Sequence, residues 1–477
     1  MTVSAVSRLL RDRRGVSAVT VAIIFPVMIG FAGLGVDTGM WYTIKRQNQS
    51  AVDAAAISAA YELLAGKTDV ANDLTPAASE AAARNGYAGN APTVIYPYSD
   101  SIVGNGVKVT LQQNQSPWFS SWFLPSSSVT IANQAVATVK PTNNNACVLT
   151  LGTGTGLTGS PTGIGLTGNY SVTMPNCALV ADSPIAAAID GVGNGCITAL
   201  TIVSAGEYSF SGNSYPCQSN GYSLTLPPTL GGPNIANPYA GIYTHTFLTA
   251  NMPTSPACTP TMPEFGIYAY SGNCVITGGF PVFWKSINLS GGTQIAGGLS
   301  LTGSPVGTIN LSPGTYWITD GSLTLNGNIT LQCPSCALEG PGVTLIFTTT
   351  KGSVGTIGTI SASADVNIDL NAPASGSYSG LLMAQDTLPG ASYASSFSCL
   401  VVPGGCMSGN SSSTLSGLIY FPSSQLNFLG NIQTVSNCLV IVAKSVTLTG
   451  NAGLSSSGCQ TAGLTTVPTL NTVALAE

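Results

Sequence analysis

The sequence predicts a mainly β protein carried on one N-terminal transmembrane helix. That helix extends into a small αβ unit and is followed by a large right-handed parallel β-helix-like domain, with β-sandwiches as the alternative. Three observations predict this. Val16 to Val36 is an uncharged run behind an arginine cluster. From residue 141 onward, short β-prone runs alternate with Gly- and Asn-containing turns. Charged residues make up only 6% of the chain, so its surface relies on hydroxyls and amides, as repetitive β structure does.

An apolar helix of that length crosses the roughly 30 Å of bilayer hydrocarbon. Arg8, Arg11, Arg13 and Arg14 stand just before it, and Trp41 and Tyr42 follow it. Basic flanks stay in the cytoplasm and aromatic rings settle at the interface. The N-terminus is therefore expected inside and the bulk of the chain outside. A cleavable signal peptide would have a shorter apolar core and an A-x-A-like site. The run here is longer and no such site follows it, so the anchor is expected to be retained. Pro26 removes one helical hydrogen bond, which neighbouring groups in a membrane can accommodate.

Five segments follow: a basic tail at 1–15, the span at 16–36, the helix with its αβ unit at 37–140, the β-helix-like domain at 141–470 and a tail at 471–477. Past the membrane, Val52, Ala55, Ala56, Ala59, Ala60 and Leu63 recur at helical spacing, with Gly66 as a stop signal. This small-residue stripe is expected to face its own unit rather than a partner groove.

Charge is uneven. Residues 1–140 hold ten of the thirteen basic residues, and no Arg occurs after Arg84. A large domain so poor in cations excludes a nucleic-acid surface. The twelve cysteines all lie at or beyond Cys147, which reads as a disulfide framework in an oxidising compartment. Nearest-neighbour pairing gives Cys147–Cys177, Cys196–Cys217, Cys258–Cys274, Cys333–Cys336, Cys399–Cys406 and Cys438–Cys459. Zinc at Cys333-x-x-Cys336 is the rival, but no second C-x-x-C exists and His245 is the only histidine.

Within the large domain, runs such as Val343–Phe347 and Cys438–Val442 read as strands, and Gly168-Asn169, Gly327-Asn328, Gly430-Asn431 and Gly450-Asn451 read as turns. Pro227 to Pro263 reads as a loop or inserted segment. Asp365 and Asp369 are close enough on one apparent strand to flank a sugar or bind Ca²⁺, and Asp182 and Asp190 straddle a turn-like stretch. For both pairs a solvated strand edge is the simpler reading. His245 lies in the Pro-rich segment without a nucleophile motif, as a surface residue would. Gly152 to Gly156 lacks the Lys of a phosphate loop and reads as turns. General acid–base work needs titratable groups at close range, so no catalytic residue, metal or cofactor is expected and the protein is read as a non-enzyme.

Arg13-Arg14-Gly15, Pro26, Val36-Asp37-x-Gly39 and Gln49-x-Ala51-x-Asp53-Ala54-Ala55-Ala56 together resemble the TadG-like family of the Flp, or tight-adherence, pilus assembly system. Val107–Thr110, Pro117-Trp118-Phe119, Val129–Ile131 and Ala135–Val139 extend the likeness. The resemblance assigns the family motif to Arg14, Gly15, Pro26, Asp37, Gly39, Gln49 and Asp53. It implies a single-pass protein of a bacterial inner membrane, with its bulk periplasmic or extracellular, whose partners are the membrane and pilus-assembly proteins or envelope components. Two family features are missing. A prepilin-type cut after Gly15 calls for a Glu where Thr20 stands, and Asp320-Gly321-Ser322-Leu323-Thr324 lacks the following helix of a von Willebrand A metal site. The chain thus reads as a variant with a Gly-rich β-domain in that place. A surface adhesin-like module is the alternative function, and a glycan-active enzyme the least favoured.

Overall fold

The computed structural model describes residues 14–64, 66–99, 106–119, 128–152, 163–185, 187–212, 222–226, 228–230, 235, 237–277, 284–302, 307–394, 404–409, 412–431, 433–436, 438–456 and 469–476. It is mainly β with an N-terminal apolar helix. Two compact units are present, 1–140 together with 471–477, and 141–470.

In the first unit, helix α1 runs without a break from Arg14 to Leu64, through Pro26. Its N-terminal half exposes apolar side chains, Phe31 and Ile23 among them. Its C-terminal half buries Ala51, Val52, Ala55, Ala56, Ala59 and Ala60 completely. The small-residue stripe therefore packs within its own unit, against Leu74, Ala78 and Ala82 and the strand residues Val107, Val109 and Leu111. Alanine lets these elements approach closely and loses no side-chain entropy on burial. Gly66, at φ +81°, ends the helix. Its N–H donates to Leu63 O while Lys67 N–H donates to Glu62 O, the paired bonds of a left-handed C-terminal cap.

Helix α2 follows at Thr75–Arg84, then β1 at Thr93–Tyr98, β2 at Gly106–Gln115 and β3 at Val129–Thr150. These pair as an antiparallel meander, with β2 against Val129–Thr138 of β3. Residues 471–477, expected to be a tail, group with this unit, and Thr469–Ala476 is a strand paired with β3.

The second unit is built from parallel pairings among short strands. In one ladder, Cys274–Ile276, Thr293–Ala296, Gly314–Thr319, Val343–Thr348, Leu381–Gln385, the first part of Ser412–Gly430 and Leu439–Gly450 lie side by side in sequence order. The next partner is an earlier strand: Val148–Thr150 of β3 pairs with Ile441–Ala443. The ladder then runs on through Ala178–Ala181, Ile202–Ser204 and Thr229–Leu230. The first strands of the second unit thus lie beyond the last ones in the ladder. Two further parallel ladders repeat this permuted order, with Gly453–Ser456 beside Ser171–Met174 in one and Leu439–Gly450 beside Ile164–Gly168 in the other.

Sequence pattern and burial agree ladder by ladder. Ile329–Gln332 and Asn367–Asn371 bury alternate side chains, as strands with one wet face do. Val343–Thr348 and Leu381–Gln385 are buried at every position, as strands covered on both faces are. One face meets the main core around Leu345 and Phe347. The other, with Ile346, Trp317, Tyr420 and Val442, lies under Tyr239, Tyr243 and Leu248 of the Pro-rich segment.

Turns are stacked as well. Gly409, Gly430, Gly450, Gly168 and Gly193 occupy matching positions in successive paired strands. The Asn residues that follow three of them form a ladder: Asn169 Nδ2 donates to Asn451 Oδ1 at 2.9 Å, and Asn451 Nδ2 to Asn431 Oδ1 at 2.6 Å. Each amide is donor and acceptor at once, so a column satisfies itself internally.

Candidate functional site

The family-motif residues lie along α1. Arg14 and Gly15 head the helix and Pro26 lies inside it. Asp37, just past the apolar run, is completely buried. Its Oδ1 accepts the Trp118 N–H at 3.0 Å and its Oδ2 the Phe119 N–H at 3.0 Å. A buried carboxylate needs such donors, and here they fix the Pro117–Phe119 loop to the helix. A Cβ on Gly33 would come within 2.7 Å of Phe119 Cβ, so the loop lies directly against the helix one turn before Asp37. Gly39 has no neighbour within reach of an added Cβ. Farther along the helix, Gln49 Nε2 donates to Asp53 Oδ1 at 2.8 Å while Gln49 Oε1 accepts from Asn133 Nδ2 at 2.7 Å. Asp37 and Gln49 thus join α1 to a loop and to β3 of the same unit. Residues 37 and 118 are far apart in sequence, and their meeting has no spacing signal. The one hint in the sequence is an acid at the end of an apolar run, which must find donors.

In the second unit, three expected disulfides are present: Cys147–Cys177, Cys258–Cys274 and Cys333–Cys336. Cys196, Cys406 and Cys438 are also bridged, and their expected partners Cys217, Cys399 and Cys459 lie outside the described residues. Asp320, at φ +55°, is in a turn and accepts from Thr349 Oγ1 at 2.5 Å. The strand Leu323–Asn326 follows it rather than a helix. Asp365 and Asp369 do not share a strand. Ala364, at φ +64°, bends the chain, Asp365 sits in the bend, and the strand begins at Asn367. Both acids are exposed. Of the Gly-rich run, residues 153–156 lie outside the described residues.

The Pro-rich segment crosses the ladder as a strap. Ile235 N–H donates to Asp182 Oδ1 at 2.6 Å, and Asn237 Nδ2 to the Tyr420 hydroxyl at 2.8 Å. The short helix α3, His245–Thr249, brings His245 Nδ1 to 2.5 Å from Asp386 Oδ2. Thr348 Oγ1 donates to the same oxygen at 2.6 Å. Leu248 O accepts from Trp317 Nε1 at 2.8 Å. Ala257 bridges to Val275, and Cys258 to Cys274. His245 is therefore not a bare surface residue: it pairs with a fully buried carboxylate. Asp182 is likewise not on a solvated edge, being 3% exposed, whereas Asp190 is half-buried on the strand Ile189–Gly193.

Burial pushes the Asp182 carboxyl up to about 7, against a smaller lowering by the Ile235 N–H. A carboxyl raised above its unfolded value holds its proton longer in the native chain. Its contribution is fully present below about pH 4 and is lost as pH rises to about 7. Asp182→Asn keeps an acceptor for Ile235 and removes the titration. The variant is expected to match the parent protein at pH 4 and to exceed it by on the order of 4 kcal/mol at pH 8. Urea midpoints across that range, with no gain at pH 8, would contradict this.

No curated protein and no solved structure matches the chain. Residues 15–62, which contain Asp37, Gln49 and Asp53 and nearly all of α1, match the TadE/G-like family of Flp pilus-assembly proteins.

Proposed function

We propose that this protein is a membrane-anchored structural component of a Flp, or tight-adherence, pilus assembly system. Its N-terminus is cytoplasmic, and its second unit is a right-handed parallel β-helix on the outer side of the inner membrane that contacts other pilus proteins or the envelope. The observation that carries this reading is the TadE/G-like match over 15–62, which falls on the one helix, among the described residues, long and apolar enough to cross a membrane. The parallel ladders support the β-helix, and the near-universal right hand of parallel crossovers sets its sense. The chemistry of the second unit supports a non-catalytic role. Asp182 and Asp386 are engaged in holding the strap, and Asp365 and Asp369 stand exposed on different local structures.

Deleting the gene in its own bacterium is expected to remove surface pili, counted by electron microscopy. The full chain should restore them, and a chain ending at Lys140 should not. A periplasm-active phosphatase fused after Lys140 should be active. Unchanged piliation in the deletion strain would overturn the pilus role, and an inactive fusion the topology.

A further inference from the structure

The Pro117–Phe119 loop leaves its two aromatic side chains uncovered. Trp118 is 70% exposed and Phe119 48% exposed, while Pro117 beside them is buried. A loop that only linked β2 to β3 would not need two large rings on its outside, and its backbone would not need a buried carboxylate to hold it. Here both successive N–H groups are held by Asp37. The loop is locked to the helix while its rings are kept outward.

The placement of the rings decides what covers them. Phe119 lies against Gly33, four residues before Asp37 and thus about 6 Å deeper along the helix axis. Leu34, next to Gly33 on α1, is itself 47% exposed, and Phe31, two residues before Gly33 and at nearly the same depth, is 73% exposed. Whatever medium surrounds those two side chains also surrounds Phe119. Tyr42 is 67% exposed on the next turns of the helix. Tryptophan and tyrosine belong where one end of the ring is apolar and the other wet.

We propose that the Asp37-held loop is a second membrane contact, with Phe119 in the upper acyl region and Trp118 at the headgroup boundary of the outer leaflet. This rests on the reading of α1 as a membrane span. The loop then acts as a stop beside the helix exit, fixing how far α1 protrudes and limiting its sliding along the bilayer normal. Gly33 leaves the space that Phe119 occupies. Any larger residue there would push the ring away from the helix.

The test is a depth measurement on the full chain in phospholipid vesicles. A nitroxide is attached through p-acetylphenylalanine, which leaves the bridged cysteines alone. It is placed at residue 118, at Val27 within the apolar run, and at Val354, 87% exposed on the second unit. Collision with dissolved oxygen is compared with collision with a water-soluble nickel chelate. Val27 should favour oxygen strongly and Val354 the chelate. Residue 118 should fall between them, favouring oxygen at least threefold more than Val354 does. A label at 118 as chelate-accessible as Val354, with Val27 oxygen-favoured, would overturn the loop contact and leave the anchor standing. A label at 118 shielded from both reagents would overturn it in favour of a protein neighbour. Chelate access at Val27 would overturn the anchor and the loop contact together. Gly33→Leu should move the label at 118 toward the chelate-accessible side; no movement would remove Gly33 from the arrangement.

Discussion

Gly193→Ala is expected to destabilise the protein by about 2–6 kcal/mol, combining a backbone conformation that disfavours side chains with overpacking against a neighbouring strand. Gly193 has φ +124°, and an added Cβ would stand 2.4 Å from Gly168 O and 2.9 Å from Gly168 N. Those are backbone atoms in a parallel ladder, paired in register from Ile164–Ile189 to Gly168–Gly193, and they cannot swing aside as the end of a side chain could. Relief would require the two strands to separate locally. Val192→Ala, one residue away and 43% exposed, serves as the control, with an effect below about 0.5 kcal/mol. Urea midpoints of the full chain in detergent, followed by tryptophan fluorescence, compare the two. Equal midpoints for Gly193→Ala and Val192→Ala would mean that the glycine column is not a packing requirement.

Trp317→Ala is the second large effect, at about 3–5 kcal/mol for removal of a buried indole. Trp317 is 2% exposed and packs in the cluster between the ladder and the strap. Its Nε1 also donates to Leu248 O, so the variant loses a buried hydrogen bond together with the packing. The strap should loosen at α3 before the ladders do, because the ladders keep their backbone bonds. Hydrogen exchange should therefore quicken first at Leu248 N–H, which bonds to Thr244 O, while Phe347 in the ladder stays slow. Trp317→Phe retains most of the volume and should recover more than half of the loss. Simultaneous acceleration at both amides would show that strap and ladder unfold as one unit.

Much of the architecture is legible in the sequence because it is written in local patterns. The apolar run, the alanine stripe and Gly66 specify α1 and its burial, and three of the four Gly-Asn pairs mark turns that do stack. The run Val343–Phe347 reads as a strand, yet nothing in it says that both of its faces are covered, or by what. The cover comes from Tyr239, Tyr243 and Leu248 in a segment whose prolines read only as loop. His245 and Asp386 are separately visible as one histidine and one acid, but their contact depends on where the strap crosses. Asp365 and Asp369 are misplaced on one strand because the spacing rule assumes a straight chain, and Ala364 bends it. The pairing of Asp37 with the 118 and 119 amides is a tertiary event between distant segments, and sequence periodicity carries no trace of it.

The permuted strand order has a consequence for assembly. A ribosome makes Val148 and Ile164 long before it makes Ile441 and Val446, their ladder partners; Asn169 and Asn451, which share a hydrogen bond across this seam, are 282 residues apart. Until the late strands arrive, the early ones present a bare edge, the kind of template that recruits foreign strands. Closing so long a loop makes the joining of the two groups a late and slow step. Premature termination anywhere before Leu439 would thus strip the seam from strands already synthesised far earlier. Late nonsense variants should accumulate as aggregates rather than as shortened but sound domains.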